Sequence, residues 1–343
     1  MKTLILTFRP LSPFGTPLKG DTIFGHLCWQ IAQAPELFGA TLDQLLADYD
    51  KNPFLVVSSA IMNLGSSAAP SLVLKRPSLP FHRFSGLQSS PRTLLEKRKE
   101  LKARSWVIAS RAVPFLSPEQ ATYLNGREVL EKFTGDYPQE LRKRVRTDSL
   151  RLTIGAGHWR NSINLTGCTG EGGFAPYHSE EVFYLPKIKL SCIIGCDDRV
   201  PVEALTTAFE RIGTCGFGRD ASTGLGKFEL IDQHEIDLKA FGASDASAGY
   251  TLAPAVPGLE DGQPWFTPFV RYGRHGDVLA ISSHPFKNPC LLADDGAVFP
   301  LKDNVGSRTY VGKALRGLSK VESRTVSQGY SLFIPVRMEE IHA

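Results

Sequence analysis

No stretch of the 343-residue sequence approaches the roughly 18 uncharged apolar residues that a membrane-spanning helix needs. The opening MKTLILTFRPLSPFG interrupts its apolar run at Arg9 and Pro10, with no signal-peptide core or cleavage site, so a cytoplasmic protein is expected. Cysteine is sparse: six residues (28, 168, 192, 196, 215 and 290) lie scattered along a long chain, which argues against a disulfide framework. Cys192 and Cys196 have no second Cys or His pair nearby and do not read as a zinc site. Nor is there an acidic cluster suited to a catalytic metal. Asp197-Asp198 and Asp294-Asp295 fall in glycine-flanked turns, where acidic pairs are ordinary.

Net charge is also small, +4 from 39 basic and 35 acidic residues, but it is unevenly placed. Between Arg92 and Arg151 there are fourteen bases and eight acids, a balance of +6, while the rest of the chain carries −2. Such a concentration favours a polyanionic partner. The competing explanation is a solvated helical face, because Glu96, Glu100, Glu128 and Glu131 are interleaved with the bases at helix-pair spacing. Hydrophobic residues make up 42%, enough for a substantial core, and the length allows two domains. Glycine (31) and proline (23) exceed average usage, which points to many turns and away from a helical bundle.

Residues 2–9 read as a strand ended by Pro10. A helix follows with Asp21 or Thr22 as N-cap, an apolar stripe of Ile23, Leu27 and Ile31, and an end near Ala34-Pro35. A short helix fits 41–49 and a strand fits 53–61. Residues 65–90 read as loop, 92–111 as basic helix, and 142–154 as an alternating ribbon. A strand over 181–195, a helix opened by Pro201 and a strand over 226–231 complete a β–α–loop–β unit. Further strands are expected at 266–272, 277–282 and 330–337. The expected architecture is α+β, with two antiparallel-sheet modules. Residues 1–249 form the first module, with a long basic insertion at about 65–160, and residues 250–343 form a smaller second sheet.

The most specific local feature is the glycine-rich loop at 213–227, where Gly216, Gly218, Gly224 and Gly226 make two Gly-x-Gly pairs. Glycines permit positive φ and let successive N–H groups face an anion. Arg219 and Lys227 are placed to pair with phosphate oxygens. A dinucleotide fingerprint is excluded because the order here is helix, loop, strand. A P-loop is excluded because Gly226-Lys227 precedes Phe228 and a strand. The remaining alternative is a glycine-rich hairpin entry that serves turn geometry alone.

This G-x-G-x5-G-x-G loop resembles the signature of the RAMP superfamily of CRISPR systems. The stretch Pro13 to Trp29 (PFGTPLKGDTIFGHLCW) is similar to the first motif of one group, subunit four of the type III-A Csm effector. Asn161 to Phe174 (NSINLTGCTGEGGF) resembles its second motif, and Gly329 to Val336 its closing strand. One departure stands out: Asn164 is followed by Leu165-Thr166 where family members usually have an arginine. That removes one RNA or inter-subunit contact, or moves the task to Arg160.

The resemblance implies two ferredoxin-like, RRM-related modules and a non-catalytic RNA-binding subunit. Such a subunit holds the 5′ repeat-derived tag of the CRISPR RNA. Its partners are the large cyclase/polymerase-like subunit and the backbone RAMP subunits. No cofactor or metal is implied. The implied RNA-contact residues are Lys19, Gly20, His26, Arg160, Asn161, Asn164, Gly216, Gly218, Arg219, Gly224, Gly226 and Lys227. The 92–151 segment is a candidate thumb-like projection. A metal-independent CRISPR-RNA-processing endoribonuclease is the enzymatic alternative; it needs a general base and acid, with His26 and His158 as candidates. His26 flanks the buried stripe of its helix and reads more simply as a half-buried structural histidine. A third reading, a protein-interaction module anchored by Trp29, Trp106, Trp159 and Trp265, leaves the glycine loop unexplained.

Overall fold

The computed structural model describes residues 1–84, 99–100, 102–136, 139–140, 153–160, 176–258, 262–301 and 309–339. β1 (Lys2–Pro10) is buried on both faces over Leu4 to Phe8, as a central strand must be. The Gly20–Gln33 helix follows, with Ile23, Phe24, Leu27 and Ile31 inward. It begins before the expected Asp21 or Thr22 cap, with Lys19 at the N-cap, because the Gly20 amide is met by Ser59 Oγ at 3.2 Å. The Leu42–Leu46 helix starts at a Thr41–Gln44 capping box.

The expected 53–61 strand is two short ones, β2 (Leu55–Val57) and β3 (Ile61–Asn63). Between them the amides of Ser58, Ser59 and Ala60 bond to Ile193, Leu252 and Leu18, three different segments, which breaks the ladder. β4 (Ser71–Lys75) lies where a loop was expected, and β5 (Arg104–Ser110) lies where helix was expected. Both follow apolar or β-branched alternation (SLVLK, RSWVIAS) that outweighs their flanking charge and turn residues. With β6 (Leu124–Asn125) they extend the central sheet, so these parts of the expected insertion belong to its body. Two of the described bases there have acidic neighbours: Arg104 lies 3.6 Å from Glu100 and from Glu128, and Arg127 lies 3.4 Å from Glu131, while Lys99, Lys102, Arg111 and Lys132 are exposed. The 142–152 part of the expected ribbon lies outside the described residues.

The apolar run 181–195 is likewise divided. β7 (Thr153–Arg160) and β8 (Tyr177–Tyr184) form a separate hairpin, and β9 (Lys189–Cys196) returns to the sheet. The break falls at Pro186 and Lys187, the latter at φ +67°. The Val202–Cys215 helix packs Leu205, Ala208, Phe209 and Ile212 inward, and β10 (Phe228–Glu235) follows the glycine loop. The first sheet runs β10-β1-β9-β3-β4-β5-β6, with β2 also on β9, and its pairings are antiparallel. Phe8 of β1 meets Phe209 of the helix and Phe228 of β10 at ring separations of 5.4 and 4.7 Å, a cluster joining three elements. Each such pair adds about 0.5–1.5 kcal/mol beyond its buried area.

Beyond these come β11 (Ala248–Thr251), β12 (Pro268–Arg271), β13 (Cys290–Ala293), β14 (Val298–Pro300), β15 (Tyr310–Gly312), β16 (Leu315–Arg316), β17 (Val326–Ser327) and β18 (Tyr330–Val336). The order β14-β11-β18-β15 makes a second sheet, in which every residue of β18 is buried. β12–β13 and β16–β17 are two-stranded ribbons. The strand expected at 277–282 is instead a 3-10 turn at Asp277–Ile281, in which Val278 and Ile281 are exposed and no residue is buried. One apolar core continues from Leu4 in the first sheet to Val336 in the second. Among the described residues, no helix is long and apolar enough to cross a membrane. No group of three His, Cys, Asp or Glu residues among them is placed to hold a metal ion.

Candidate nucleic-acid interface

The glycine loop takes its shape from five residues at positive φ: Gly216 (+102°), Gly218 (+77°), Asp220 (+62°), Gly224 (+97°) and Gly226 (+72°). Its chain folds back so closely that a Cβ on Gly226 would stand 2.2 Å from the Phe217 carbonyl oxygen. Most of its amides are used within the protein. Phe217 N–H donates to Gly226 O (3.0 Å), Gly226 N–H to Pro13 O (2.7 Å), Arg219 N–H to Thr16 Oγ1 (2.9 Å) and Lys227 N–H to Ser12 Oγ (2.8 Å). The amides of Asp220, Ala221 and Ser222, at the outer turn, make no hydrogen bond to a described residue. The N–H groups open to an anion are therefore a short set at the tip, and the rest are scaffold.

His26 is part of that scaffold. It stacks on Phe217 with ring centroids 4.6 Å apart, and its Nε2 accepts the Gly218 N–H at 3.2 Å. Burial lowers its pKa to about 4, so the ring is neutral near pH 7, which an acceptor nitrogen requires. Gly20 is a packing residue: a Cβ there would lie 2.3 Å from the Val57 carbonyl oxygen. Lys19 turns away from the loop into a four-charge cluster. Its Nζ lies 2.5 Å from Asp294 and also contacts Asp295, which Lys75 approaches at 2.7 Å. Burial opposes charge on Lys19, but the two carboxylates outweigh it and raise its pKa. Burial likewise works against the Asp295 carboxylate, yet Lys75 and Lys19 hold its pKa well below the usual range. The Asp294-Asp295 turn is thus half of a part-buried charge cluster, not an ordinary exposed acidic pair.

The three remaining described cations differ. Arg160, on β7, donates to Asp220 Oδ2 at 2.9 Å and to Glu181 Oε1 at 3.1 Å, clamping the hairpin to the glycine loop. Arg219 donates to the Glu180 carbonyl oxygen at 2.5 Å and lies 3.5 Å from Asp220. Lys227 is exposed, with no side-chain partner among the described residues. A second tie joins hairpin and loop region: Phe14 and Val182 exchange two backbone bonds of 2.9 Å. Asn161 and Asn164 lie outside the described residues.

Beside the loop, the hairpin carries an aromatic surface that motif reasoning did not assemble. Trp159 is 75% exposed and stands edge-on to His178, 5.4 Å between centroids, while the exposed Tyr177 pairs with Arg160 on the opposite face. Alternation in TIGAGHWR marks Trp159 as facing away from Arg160, but its pairing with His178 depends on register set far along the chain. An exposed aromatic pair on the hairpin face opposite Arg160, an exposed Lys227 and three loop amides not used by described residues are groups of the kind that suit a single-stranded polyanion with stackable bases.

These features define a mainly antiparallel α+β protein of two sheets, with a glycine-rich loop between a helix and the edge strand of the larger one. No family model matches the sequence, and no curated protein matches it. Solved structures do. A crystal structure of a Csm3–Csm4 subcomplex of the type III-A CRISPR–Cas interference complex aligns at 12% identity over 98% of this chain and 99% of that one, with a TM-score of 0.58. Csm1–Csm4 cassettes in complex with cA3 and with pppApA each align at 14% identity over 99% of this chain and 100% of theirs, with TM-scores of 0.53 and 0.52. Csm4 is the component common to these assemblies. Over essentially its whole length, the chain has a Csm4-like fold.

Proposed function

We propose that the chain is a non-catalytic RNA-binding subunit of a type III-A CRISPR interference complex in the cytoplasm. It holds the 5′ repeat-derived tag of the CRISPR RNA and joins the large cyclase/polymerase-like subunit to the backbone RAMP subunits. The observation that carries this reading is the glycine loop within a full-length Csm4-like fold, with the exposed Lys227 at its end and an exposed Trp159–His178 pair on the adjoining hairpin. The order β1, helix, β2/β3, β9, helix, β10, with β10-β1-β9-β2 side by side, is that of a ferredoxin-like unit and supports the RRM-related reading. The second sheet is the candidate for the other module.

A non-catalytic role is supported by His26, whose Nε2 is occupied by the Gly218 amide. The linking role is supported by an apolar surface around the β12–β13 ribbon, where Val270 and Leu291 are paired and exposed and Tyr272, Val278, Ile281 and Phe286 are exposed nearby. Exposed apolar groups gathered this way mark protein contact surfaces.

Fluorescence anisotropy of the full chain with repeat-derived RNA, over a salt series, tests the reading. Arg219→Ala combined with Lys227→Ala should weaken binding and flatten the log–log salt slope by about 0.7 per lost phosphate contact. Unchanged affinity and slope would remove the glycine loop as a phosphate site. RNA cleavage by the wild type that His26→Ala abolishes would instead favour the endoribonuclease.

A further inference from the structure

Between the two sheets lies a cleft of about 290 Å³, near the lower end of small-ligand sites. Phe14, Met62, Trp106 and Tyr184 give it aromatic and apolar walls. The Lys19–Asp295–Lys75 cluster stands at one end, offering donors and an acceptor. On the second-sheet side, Thr251 of β11 lines the cleft. Thr251 is fully buried, and its Oγ1 has no hydrogen-bond partner among the described residues. An unmet buried hydroxyl is costly, which makes it a ready partner for an incoming polar edge.

The cleft and the glycine loop share a wall. Phe14, Thr16, Pro17 and Leu18 line the cleft, while Thr16 Oγ1 receives the Arg219 amide and Pro13 O receives the Gly226 amide. Val182, also lining the cleft, is the hairpin residue paired with Phe14. A strand whose backbone follows the loop and hairpin therefore passes the mouth of an aromatic slot with polar groups at its end. Single-stranded RNA is read in this way, by bases splayed from the stack onto aromatic side chains and hydrogen-bonded along their edges.

We propose that this cleft receives one unstacked base of the bound RNA strand. Phe14, Trp106 and Tyr184 surround the ring, and the Thr251 hydroxyl and the Lys19–Asp295 pair meet its edge. This proposal rests on the RNA-binding reading above and adds a second subsite to it.

Two variants of the full chain test it with a single-stranded decamer of 4-thiouridine. Thr251→Val keeps side-chain shape and removes the unpartnered hydroxyl; Met62→Trp fills the cleft. In the wild type, ultraviolet cross-links mapped by mass spectrometry should include Trp106 or Tyr184. Thr251→Val should leave the melting temperature of the free protein unchanged or raised, yet weaken decamer binding about fivefold or more. Met62→Trp should suppress the internal cross-links. A lowered melting temperature in Thr251→Val would mean that the hydroxyl already has a partner, and would overturn the proposal. So would wild-type affinity in both variants with cross-links confined to outer residues such as Trp159, a result that leaves the RNA-binding reading standing. A wild-type chain that binds no RNA would overturn both.

Discussion

Gly224 and Gly226 sit two residues apart at positive φ, but their surroundings differ. A Cβ at Gly224 would meet nothing within 4 Å, whereas one at Gly226 would collide with the Phe217 backbone at 2.2 Å. Gly224→Ala should cost about 1–2 kcal/mol of backbone strain alone, and Gly226→Ala about 3 kcal/mol or more, measured by urea unfolding. Equal losses would mean that close approach does not shape the loop. His26 carries a pH signature. Its folded pKa of about 4 lies below the ordinary 6.5, so the unfolded chain binds the extra proton in between. Its contribution is complete above pH 6.5 and is lost as pH falls towards 4, by at most about 3 kcal/mol. His26→Gln, which keeps an acceptor, should show a shallower loss of stability than the wild type across that interval in pH-dependent denaturation. Gly-x-Gly spacing made this loop legible. Nothing in the sequence showed that Lys19 would be drawn to Asp294 and Asp295, because those pairings join residues 275 and 276 positions apart.

Among the elements, those with a strong local period were legible: β1, the Gly20–Gln33 and Val202–Cys215 helices, and β18. β4 and β5 were obscured because turn formers and charges crowd their flanks, while the partner that makes SLVLK a strand is the β5 ladder itself. The division of 181–195 was hidden for a similar reason. The apolar pattern continues through Leu185-Pro186, and only the long-range pairings with β7 and Phe14 pull Tyr177–Tyr184 out of the sheet. The β7–β8 hairpin reaches the glycine loop through Arg160. Arg160→Ala should therefore speed hydrogen exchange of the 177–184 amides while leaving those of β1 and β9 protected. Unchanged exchange in the hairpin would mean that the Phe14–Val182 bonds and the Arg219–Glu180 bond hold it without Arg160.

For the whole molecule, the order β10-β1-β9-β2 makes a compact unit, and a core shared from Leu4 to Val336 joins the second sheet to it. Residues 92–151 carry a balance of +6, which favours a polyanionic partner. Among their described bases, Arg104 and Arg127 lie beside Glu100, Glu128 and Glu131, while Lys99, Lys102, Arg111 and Lys132 are exposed; Lys227, beside the glycine loop, is a further exposed cation. Turn chemistry marked that loop, whereas the aromatic hairpin and the inter-sheet cleft arise only from pairings between distant segments. The central claim is that this fold holds CRISPR RNA. Its most direct test is to express the tagged chain with its genomic neighbours, purify it and sequence the RNA that accompanies it. The account predicts short RNAs with a uniform, repeat-derived 5′ end that ultraviolet light cross-links to this chain. An intact assembly in which such RNA is absent, or cross-links only to other subunits, would contradict it.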